Sequence, residues 1–536
     1  MSRPRNFLLL LALTVAQLSA QSAPAPKFRI GGKAVDAVTG QPLAGTEITI
    51  GKAEQADALP QRMLTADDGS FGFVVNDPGK YVLAGQRTGF RRQGYEQHGM
   101  YLSAVVVGHG VNSENIVFRL RPDARIVGSI VEDDHEPVQG AFVYLFRADA
   151  SGGLRQTFLA DQAISDDRGR YLLSHLEPGW YYVVVSAQPW FGYLAQSQPD
   201  AATGLPANAA LDLVYPTTFY PGVSDPASAS QIVLNDGEEF AADFTLTAIP
   251  SLHLRLNHLN PDPTRPQRGA NLKQKVFGAV LNPISTRQNV IGDALEIGGL
   301  PPADYVLDIQ SYTTPDANRS IPVNLTADLE LDADSASSTR PISGSIKMDA
   351  GSNLQPQAYV RLWNSHTGQV FDAQISPAGQ FDFDDDFVAP GNYFVFLMNG
   401  LIPTPGEISA TGARVAGQTI QIADSGPVKL QIALPHNLSI INGTAMREGK
   451  PFAGAMILLV PENPEINLPL FRRDQSDSDG TFTLRDVLPG RYRILAIEDG
   501  WDLEWANPAL LKPRLLRAQS VNVQPDKTYQ AVINAE

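Results

Sequence analysis

The sequence predicts an all-β protein built as a tandem array of about five β-sandwich domains. Apolar residues alternate with period two, no long amphipathic helical pattern occurs, and one turn-rich segment recurs along the chain. A length of 536 residues, with 45 glycines and 40 prolines, suits several domains made of short strands joined by turns.

The recurring segment combines a turn glycine, an alternating strand, a Pro-Gly turn and a second strand. From Gly69 to Pro78 and from Gly480 to Pro489 the spacing is nine residues. Because glycine adopts left-handed backbone conformations without strain, we expect each turn glycine to form a β-hairpin. The copies read ADDGSFGFVVNDPGKYVLA (66–84), SDDRGRYLLSHLEPGWYYVVV (165–185), GDALEIGGLPPADYVLDI (292–309), SPAGQFDFDDDFVAPGNYFVFL (376–397) and SDSDGTFTLRDVLPGRYRILA (476–496).

Each repeat also begins on a glycine-centred strand and closes on an alternating strand. The opening glycines lie 96 residues apart between Gly32 and Gly128, and 99 apart between Gly344 and Gly443. After a signal peptide at 1–20, the predicted domains are 27–122, 123–250 with a long aromatic insertion, 251–336 in degenerate form, 337–435 and 436–536.

The first repeat carries a specific resemblance. GKAVDAVTGQPLAG (32–45), followed by the Asp68–Gly69 turn, resembles the carboxypeptidase regulatory-like domain. This resemblance implies an Ig-like, prealbumin-like (transthyretin-type) sandwich. GFRRQGYEQHG (89–99), YPTTFYPG (215–222) and EDGWDLEWANPALLKP (498–513) are similar to secreted acidobacterial-type proteins that carry such domains in series. The resemblance implies export and fold and transfers no active site.

The N-terminus predicts export. Arg3 and Arg5 precede a short apolar run (7–15), as in a secretory signal peptide. No later stretch has transmembrane length, so we expect a secreted or periplasmic protein without a membrane span in the mature chain. The chain lacks cysteine, which excludes disulfides and thiol catalysis. A net charge of −16 argues against nucleic acid and anionic membranes as partners.

The sequence contains no recognised catalytic motif. None of the eight histidines begins His-x-x-Glu or His-Glu-x-x-His, so the carboxypeptidase catalytic domain is absent. Gly-x-Ser-x-Gly and phosphate-binding glycine loops are missing as well. We therefore expect a protein that is not an enzyme and that uses no cofactor.

One weak calcium candidate lies in the last repeat. Counting Gly480 as position six of a calcium loop places Asp477, Asp479 and Asp486 at positions three, five and twelve. However, the first repeat has Val75 where the last has Asp486, while the turn spacing persists. This comparison favours a turn and leaves calcium as the alternative.

The remaining candidate is an aromatic surface on the insertion of the second domain, residues 187–236. Loops of this length are often functional, and aromatic faces stack on sugars or serve protein interfaces. The alternative is that the rings pack in the sandwich or between domains. The candidate ligand-binding residues are Trp190, Phe191, Tyr193, Tyr215, Phe219 and Tyr220.

Taken together, these features predict a non-enzymatic binding, adhesion or scaffold protein of the cell envelope or extracellular space. Its partner would be a polysaccharide or a cell-envelope protein. One alternative is a carbohydrate-binding protein that uses the aromatic surface, as starch-binding-like sandwiches do. A second alternative is an enzyme whose site these motifs do not reveal.

Overall fold

The computed structural model describes residues 28–54, 59–108, 113–191, 208–260, 267–283, 286–312, 318–335, 337–338, 341–348, 354–383, 388–400, 403–423 and 426–536. It confirms the predicted fold class, because strands dominate and pair into many separate sheets. Five hydrophobic cores follow one another along the chain. We number the corresponding sandwiches 1 to 5; the domain boundaries given above stay predictions.

The strands of sandwich 1 are β1 (Phe28–Asp36), β2 (Glu47–Lys52), β3 (Gln61–Leu64), β4 (Ser70–Val75), β5 (Gly79–Arg87), β6 (Phe90–Gly94), β7 (Val105–Val107) and β8 (Ile116–Leu120). One sheet has the order β4-β1-β8, and the other has the order β3-β2-β5-β6 with β7 also on β5. Alternate residues of both sheets, such as Phe71 and Phe73 on β4, face the core between them.

The strands of sandwich 2 are β9 (Ala124–Glu132), β10 (Phe142–Asp149), β11 (Gln156–Ile164), β12 (Arg170–Leu176), β13 (Gly179–Ser186), β14 (Leu213–Val214), β15 (Thr218–Phe219), β16 (Ile232–Leu234), β17 (Glu239–Ala241), β18 (Phe244–Leu246) and β19 (Ile249–Pro250). The sheets are β12-β9-β17, with β18 also on β9, and β11-β10-β13-β15, with β16 also on β13. β14 and β19 form a separate pair.

The strands of sandwich 3 are β20 (Leu252–Asn257), β21 (Arg268–Val276), β22 (Ala279–Leu281), β23 (Arg287–Ile291), β24 (Ala294–Leu300), β25 (Ala303–Ser311), β26 (Arg319–Leu325), β27 (Leu329–Asp332) and β28 (Ser337–Ser338). Its sheets have the orders β23-β24-β20-β27 and β22-β21-β25-β26-β28. This is the segment in which the repeat is most degenerate, yet it retains the two-sheet construction.

The strands of sandwich 4 are β29 (Ile342–Lys347), β30 (Tyr359–Trp363), β31 (Val370–Gln374), β32 (Gln380–Asp382), β33 (Gly391–Met398), β34 (Pro403–Thr404), β35 (Glu407–Thr411), β36 (Ala413–Ala416), β37 (Thr419–Ile422) and β38 (Val428–Ala433). Its sheets have the orders β32-β29-β38-β35 and β31-β30-β33-β37-β36, with β34 also on β33.

The strands of sandwich 5 are β39 (Ser439–Arg447), β40 (Lys450–Pro451), β41 (Met456–Pro461), β42 (Arg472–Gln475), β43 (Thr481–Val487), β44 (Gly490–Ile497), β45 (Gln519–Val523) and β46 (Thr528–Asn534). The sheets are β40-β39-β43, with β46 also on β39, and β42-β41-β44-β45. The helix α1 (Pro508–Leu515) follows β44, capped by the Asn507 side chain.

Short 3₁₀ helices occur in the connections between strands, at Ala209–Leu211, Pro226–Ser228, Ala333–Ser335, Leu468–Leu470 and Gly500–Asp502. Within the described part of the chain, no helix is both long and apolar enough to cross a membrane.

The first strand of every sandwich lies parallel to a strand near the C-terminal end of the same sandwich. The pairs are β1 with β8, β9 with β17 and β18, β20 with β27, β29 with β38, and β39 with β46. The predicted glycine-centred strands are explained by this pairing. A Cβ atom on Gly32 would lie 1.9 Å from the Ile116 carbonyl oxygen, and one on Gly443 would lie 2.4 Å from that of Ala531. Only glycine fits where the backbones approach so closely.

The turn glycines have the predicted left-handed conformation, with φ of 76° at Gly69 and 78° at Gly480. The predicted hairpin forms in the third copy, where Gly292 and Asp293 connect the antiparallel strands β23 and β24, but the prediction is wrong for the other four copies. β3 and β4 belong to opposite sheets, as do β42 and β43, so these turns are corners between sheets. The turn glycine carbonyl accepts a hydrogen bond from the first strand, as from Ala34 N to Gly69 at 2.9 Å and from Ala445 N to Gly480 at 2.8 Å. A turn motif specifies a chain reversal and not the partner of the strand that follows.

Candidate functional site

The aromatic residues predicted to form one surface are separated in the structure. Tyr215 and Phe219 are only 3% and 2% exposed, so neither ring offers a face to a ligand. Tyr220 packs against the core of sandwich 2, with its ring edge-on to Phe240 and Phe244. Their burial follows from local pairing, because β15 and β16 of the insertion extend the sheet at β13.

Trp190 and Phe191 follow β13 and are the last two residues of the described range 113–191. Trp190 is 76% exposed, and its ring lies edge-on to Phe191, with 5.7 Å between centroids and an interplanar angle of 82°. Tyr193 and the predicted signal peptide, residues 1–20, lie outside the described residues. Of the five predicted aromatic residues that the structure describes, only Trp190 is exposed.

Phe219 instead contributes to the contact between sandwiches 2 and 3. Phe277, at the turn between β21 and β22, inserts its ring among Phe146, Tyr182 and Phe219, at centroid distances of 5.4, 4.6 and 5.4 Å. Phe277 has φ of 48°, a conformation that costs free energy in a bulky residue. The packing of its ring offsets that cost.

The three aspartates of the calcium candidate do not converge. Asp477 accepts hydrogen bonds from Lys80 Nζ and from Ala104 N, the latter at 2.7 Å, and both donors belong to sandwich 1. Asp479 accepts from Thr481 N at 3.0 Å and caps its own turn, while Asp486 is exposed with φ of 55°. Within the described ranges, no group of three or more metal-ligating side chains occurs.

Asp477 therefore lies in a contact that joins the first sandwich to the last. Ser478 N donates to the Ala104 carbonyl at 3.0 Å, and Ser478 Oγ accepts from Val106 N at 2.8 Å. Ser103 Oγ donates to the Ser476 carbonyl at 2.9 Å. We call this contact, between residues 103–106 and 475–478, the closing junction. It closes the five-sandwich array on itself.

Two stacked rings and the buried side chain of Gln475 add further contacts at the closing junction. His98 stacks on Trp501, with 5.0 Å between centroids and an interplanar angle of 7°. His98 Nδ1 also lies 3.0 Å from the side-chain oxygen of Gln475, whose amide nitrogen donates to Ser103 Oγ. Gln475 is 1% exposed, so sandwich 1 provides the hydrogen-bond partners that this buried amide requires.

Other neighbouring sandwiches also contact each other. Arg91 and Arg121 of sandwich 1 pair with Asp236 of sandwich 2, at 3.3 and 3.0 Å. Ala506 N of sandwich 5 donates to the Gly153 carbonyl of sandwich 2 at 2.8 Å. A further apolar cluster joins sandwich 4 to sandwich 5; its buried members are Trp363, Phe394, Met456, Leu458, Val460, Leu468, Phe471, Leu495, Ile497, Trp505, Ala506 and Leu511.

A polar cluster that the sequence did not suggest lies between the insertion of sandwich 2 and sandwich 3. His253 Nε2 lies 2.8 Å from Asp212 Oδ2, and Nδ1 lies 3.1 Å from Glu296 Oε1. Both partners are acceptors, so the ring is an imidazolium that donates from both nitrogens. Burial alone lowers the pKa of His253, but the hydrogen bonds with Asp212 and Glu296 outweigh it and raise the pKa to about 9. Arg287 Nη1 lies 3.6 Å from Asp212.

This cluster makes folding depend on pH. The folded-state pKa of His253 lies above the ordinary value of 6.5, so its stabilisation is complete below pH 6.5 and is lost as pH rises through 9. We expect a loss of about 2 kcal/mol of unfolding free energy, after allowance for solvent screening. Urea unfolding at pH 6 and pH 9.5 should show this loss in the wild type and not in H253Q.

The matched control is H175Q. His175 also contacts a carboxylate, Asp123, at 2.9 Å, but its side chain is 80% exposed. An H175Q variant should keep the wild-type pH dependence. If H253Q and H175Q respond to pH alike, the buried imidazolium is not the group responsible.

Comparisons with known proteins add little to this description. Neither protein-family profiles nor curated protein sequences give a match. Solved structures with detectable similarity include the Bacillus anthracis TIE protein (10% identity, 96% of this chain, 76% of that chain, TM-score 0.17) and the Bacillus cereus major pilin subunit BcpA (7%, 95%, 99%, 0.14). A streptococcal ancillary pilin is 11% identical over 57% of this chain and 99% of that chain, with a TM-score of 0.19. At these TM-scores the similarity says nothing about function.

Proposed function

We propose that the chain is a non-enzymatic binding or scaffold protein that is exported to the periplasm or the extracellular space. Its partner is a polysaccharide or a protein of the cell envelope. The observation that supports this proposal is the closing junction, which docks sandwich 1 on sandwich 5 through Asp477 and Ser478. A closed array holds surfaces of different sandwiches at fixed spacing, so a partner that spans them binds without ordering the domains.

The chemistry of the buried polar cluster agrees with a role outside catalysis. Ser251 Oγ donates to Asp212 at 2.6 Å rather than to His253, so no serine is activated by that imidazole. Both ring nitrogens of His253 are occupied by carboxylates. The arrangement stabilises a domain contact and offers neither a free base nor a nucleophile.

The proposal is tested by a retention assay with the exported part of the chain, residues 21–536. The protein is passed over immobilised polysaccharides and solubilised cell-envelope fractions, and bound material is quantified. We expect one fraction to retain it in a saturable manner. Failure of every envelope fraction and polysaccharide to retain the protein contradicts the proposed function.

Carbohydrate recognition is a second candidate, favoured by one observation, the exposed ring of Trp190. A single exposed indole can stack on the apolar face of a sugar. We expect W190A to lose polysaccharide retention at an unchanged melting temperature, because the ring supports no core. Y312A is the control, since Tyr312 is 64% exposed on sandwich 3. Equal retention by W190A, Y312A and wild type would exclude this candidate.

A further inference from the structure

A cavity of about 270 Å³ lies where sandwiches 1, 2, 4 and 5 meet. Tyr101 lines it from sandwich 1, Gln156 from sandwich 2, Trp363 from sandwich 4 and Trp505 from sandwich 5. The cavity thus exists only because the array closes. None of the sequence motifs indicated it, since its walls are distant in the chain.

Arg472 belongs to the cavity lining, but its side chain, on the same face of the sheet as Leu459, turns into the interior of sandwich 5, and the residue is 5% exposed. Its Nε donates to the Asp486 carbonyl at 3.0 Å, and its Nη1 donates to the carbonyls of Pro469 and Phe471 at 3.0 and 2.7 Å. Carbonyl groups satisfy its hydrogen bonds, and the Asp486 carboxylate contributes a favourable charge interaction. Burial lowers the pKa of Arg472, which reports the cost of holding this cation out of water.

The adjacent Arg473 lies between two rings of the same wall. Its guanidinium carbon is 5.0 Å from the Tyr101 ring centroid and 4.2 Å from that of Trp505, and Nη2 donates to the Ser151 carbonyl at 3.0 Å. Burial lowers the pKa of Arg473 as well. Among the described carboxylates, none lies within ion-pair distance of Arg472 or Arg473.

The lining as a whole has a cationic part and an apolar part. The third arginine of the wall, Arg361, is neutralised by Asp372 through two hydrogen bonds of 2.7 Å. The lining includes no aspartate or glutamate. The apolar part is formed by the side chains of Trp363, Val370, Phe396, Met398, Pro403 and Phe471.

We propose that this cavity binds a small organic acid, a carboxylate carried on a planar or compact apolar body, with Arg473 facing the carboxylate. This inference rests on the proposed binding function and gives it a ligand class. Buried arginines are rare without a counter-charge, because desolvation of a cation is costly. A carboxylate supplies that charge, and the apolar body fills the other half of the cavity.

The volume restricts the ligand further. Pockets for drug-sized ligands span roughly 300–1,000 Å³, so a cavity of 270 Å³ takes a smaller molecule, of the size of an aromatic acid. A neutral isostere of the same shape would fill the apolar half and leave the Arg473 cation without a counter-charge. Discrimination between acid and neutral isostere is therefore the property that defines the site.

The test compares phenylacetate and indole-3-acetate with their primary amides. Each is titrated into the exported chain, and binding is followed by calorimetry and, for phenylacetate, by tryptophan fluorescence. We expect at least one acid to bind at least tenfold more tightly than its amide. R473Q should weaken that acid at least tenfold, whereas R493Q, an exposed change on β44, should leave it unchanged. The comparison of acid and amide on wild-type protein needs no variant to fold.

Two results would overturn the inference: no binding of either acid, or equal affinity for acid and amide. Unchanged acid affinity in R473Q would also exclude the assigned role of this arginine. The envelope-retention assay runs in parallel on the same preparations. Retention without acid binding rejects the cavity ligand alone, whereas absence of retention rejects the proposed function.

Discussion

An alanine at Asp477 is expected to undock sandwich 1 from sandwich 5. The change leaves the Lys80 ammonium without its partner and the Ala104 N–H without an acceptor in a contact where Asp477 is 8% exposed. Loss of one member of a partly buried ion pair, together with a buried hydrogen bond, costs about 3 kcal/mol. Small-angle scattering should show a larger radius of gyration, and the Ala104 amide should exchange faster with solvent deuterium.

Asp479 provides the control two residues away. Its carboxylate accepts from Thr481 N and Thr481 Oγ1 within its own turn and forms no hydrogen bond or ion pair with the described residues of sandwich 1. We expect D479A to cost about 1 kcal/mol locally and to leave the radius of gyration at the wild-type value. If D477A and D479A have the same scattering profile and the same exchange at Ala104, the closing junction does not hold the array closed.

The second large effect is expected from F277A. The substitution removes the ring that sandwich 3 inserts among Phe146, Tyr182 and Phe219 of sandwich 2. For a half-buried aromatic side chain we expect a loss of about 2–3 kcal/mol, below the range for fully buried phenylalanine. Calorimetry should show sandwiches 2 and 3 unfolding at a lower temperature.

Val280, on the same hairpin, separates this effect from a change in hairpin stability. Its side chain is 46% exposed, so V280A should shift the transition by less than a third of the F277A shift. F277L should recover part of the loss, since it keeps an apolar side chain at the same position. A melting curve of F277A that matches V280A would contradict the assigned contact.

Local chemistry was enough to predict the fold class. Gly69 and Gly480 have the left-handed conformation expected of them, and the predicted closing strands are observed, as at β8 and β46. These features depend on one residue type or on strict alternation, and both are visible in a short window of sequence. The choice of sheet is not visible there, so all five turns were predicted as hairpins, although four of them are corners between sheets.

The contacts between sandwiches could not be predicted, because side chains at equivalent positions of the repeat bind different partners. Asp166 occupies the same turn position as Asp477, three residues before the glycine. Its Oδ1 accepts from Arg168 N and Arg170 N within its own turn. Asp477 accepts instead from sandwich 1. Nothing in the local sequence distinguishes the two, since the difference arises from which domain lies opposite.

The aromatic insertion shows the same limit. Trp190 and Phe219 are equivalent in the sequence, because both are aromatic residues of the same insertion. In the structure, however, Phe219 lies on β15, which pairs with β13, and its ring packs against Phe277. The cavity depends even more on tertiary structure, because Arg473 gains its role only when Tyr101 and Trp505 are brought to it from separate sandwiches.

The parallel pairing of the first strand with a strand near the C-terminal end determines how each sandwich responds to tension. A force that pulls apart the two ends of a sandwich slides β1 along β8, or β39 along β46, so the hydrogen bonds between them are loaded together in shear. When the whole chain is pulled from both ends, the closing junction bears the load first, because it bridges the two terminal sandwiches. We therefore expect the protein to extend in two stages, with the contacts between sandwiches opening before any sandwich is sheared.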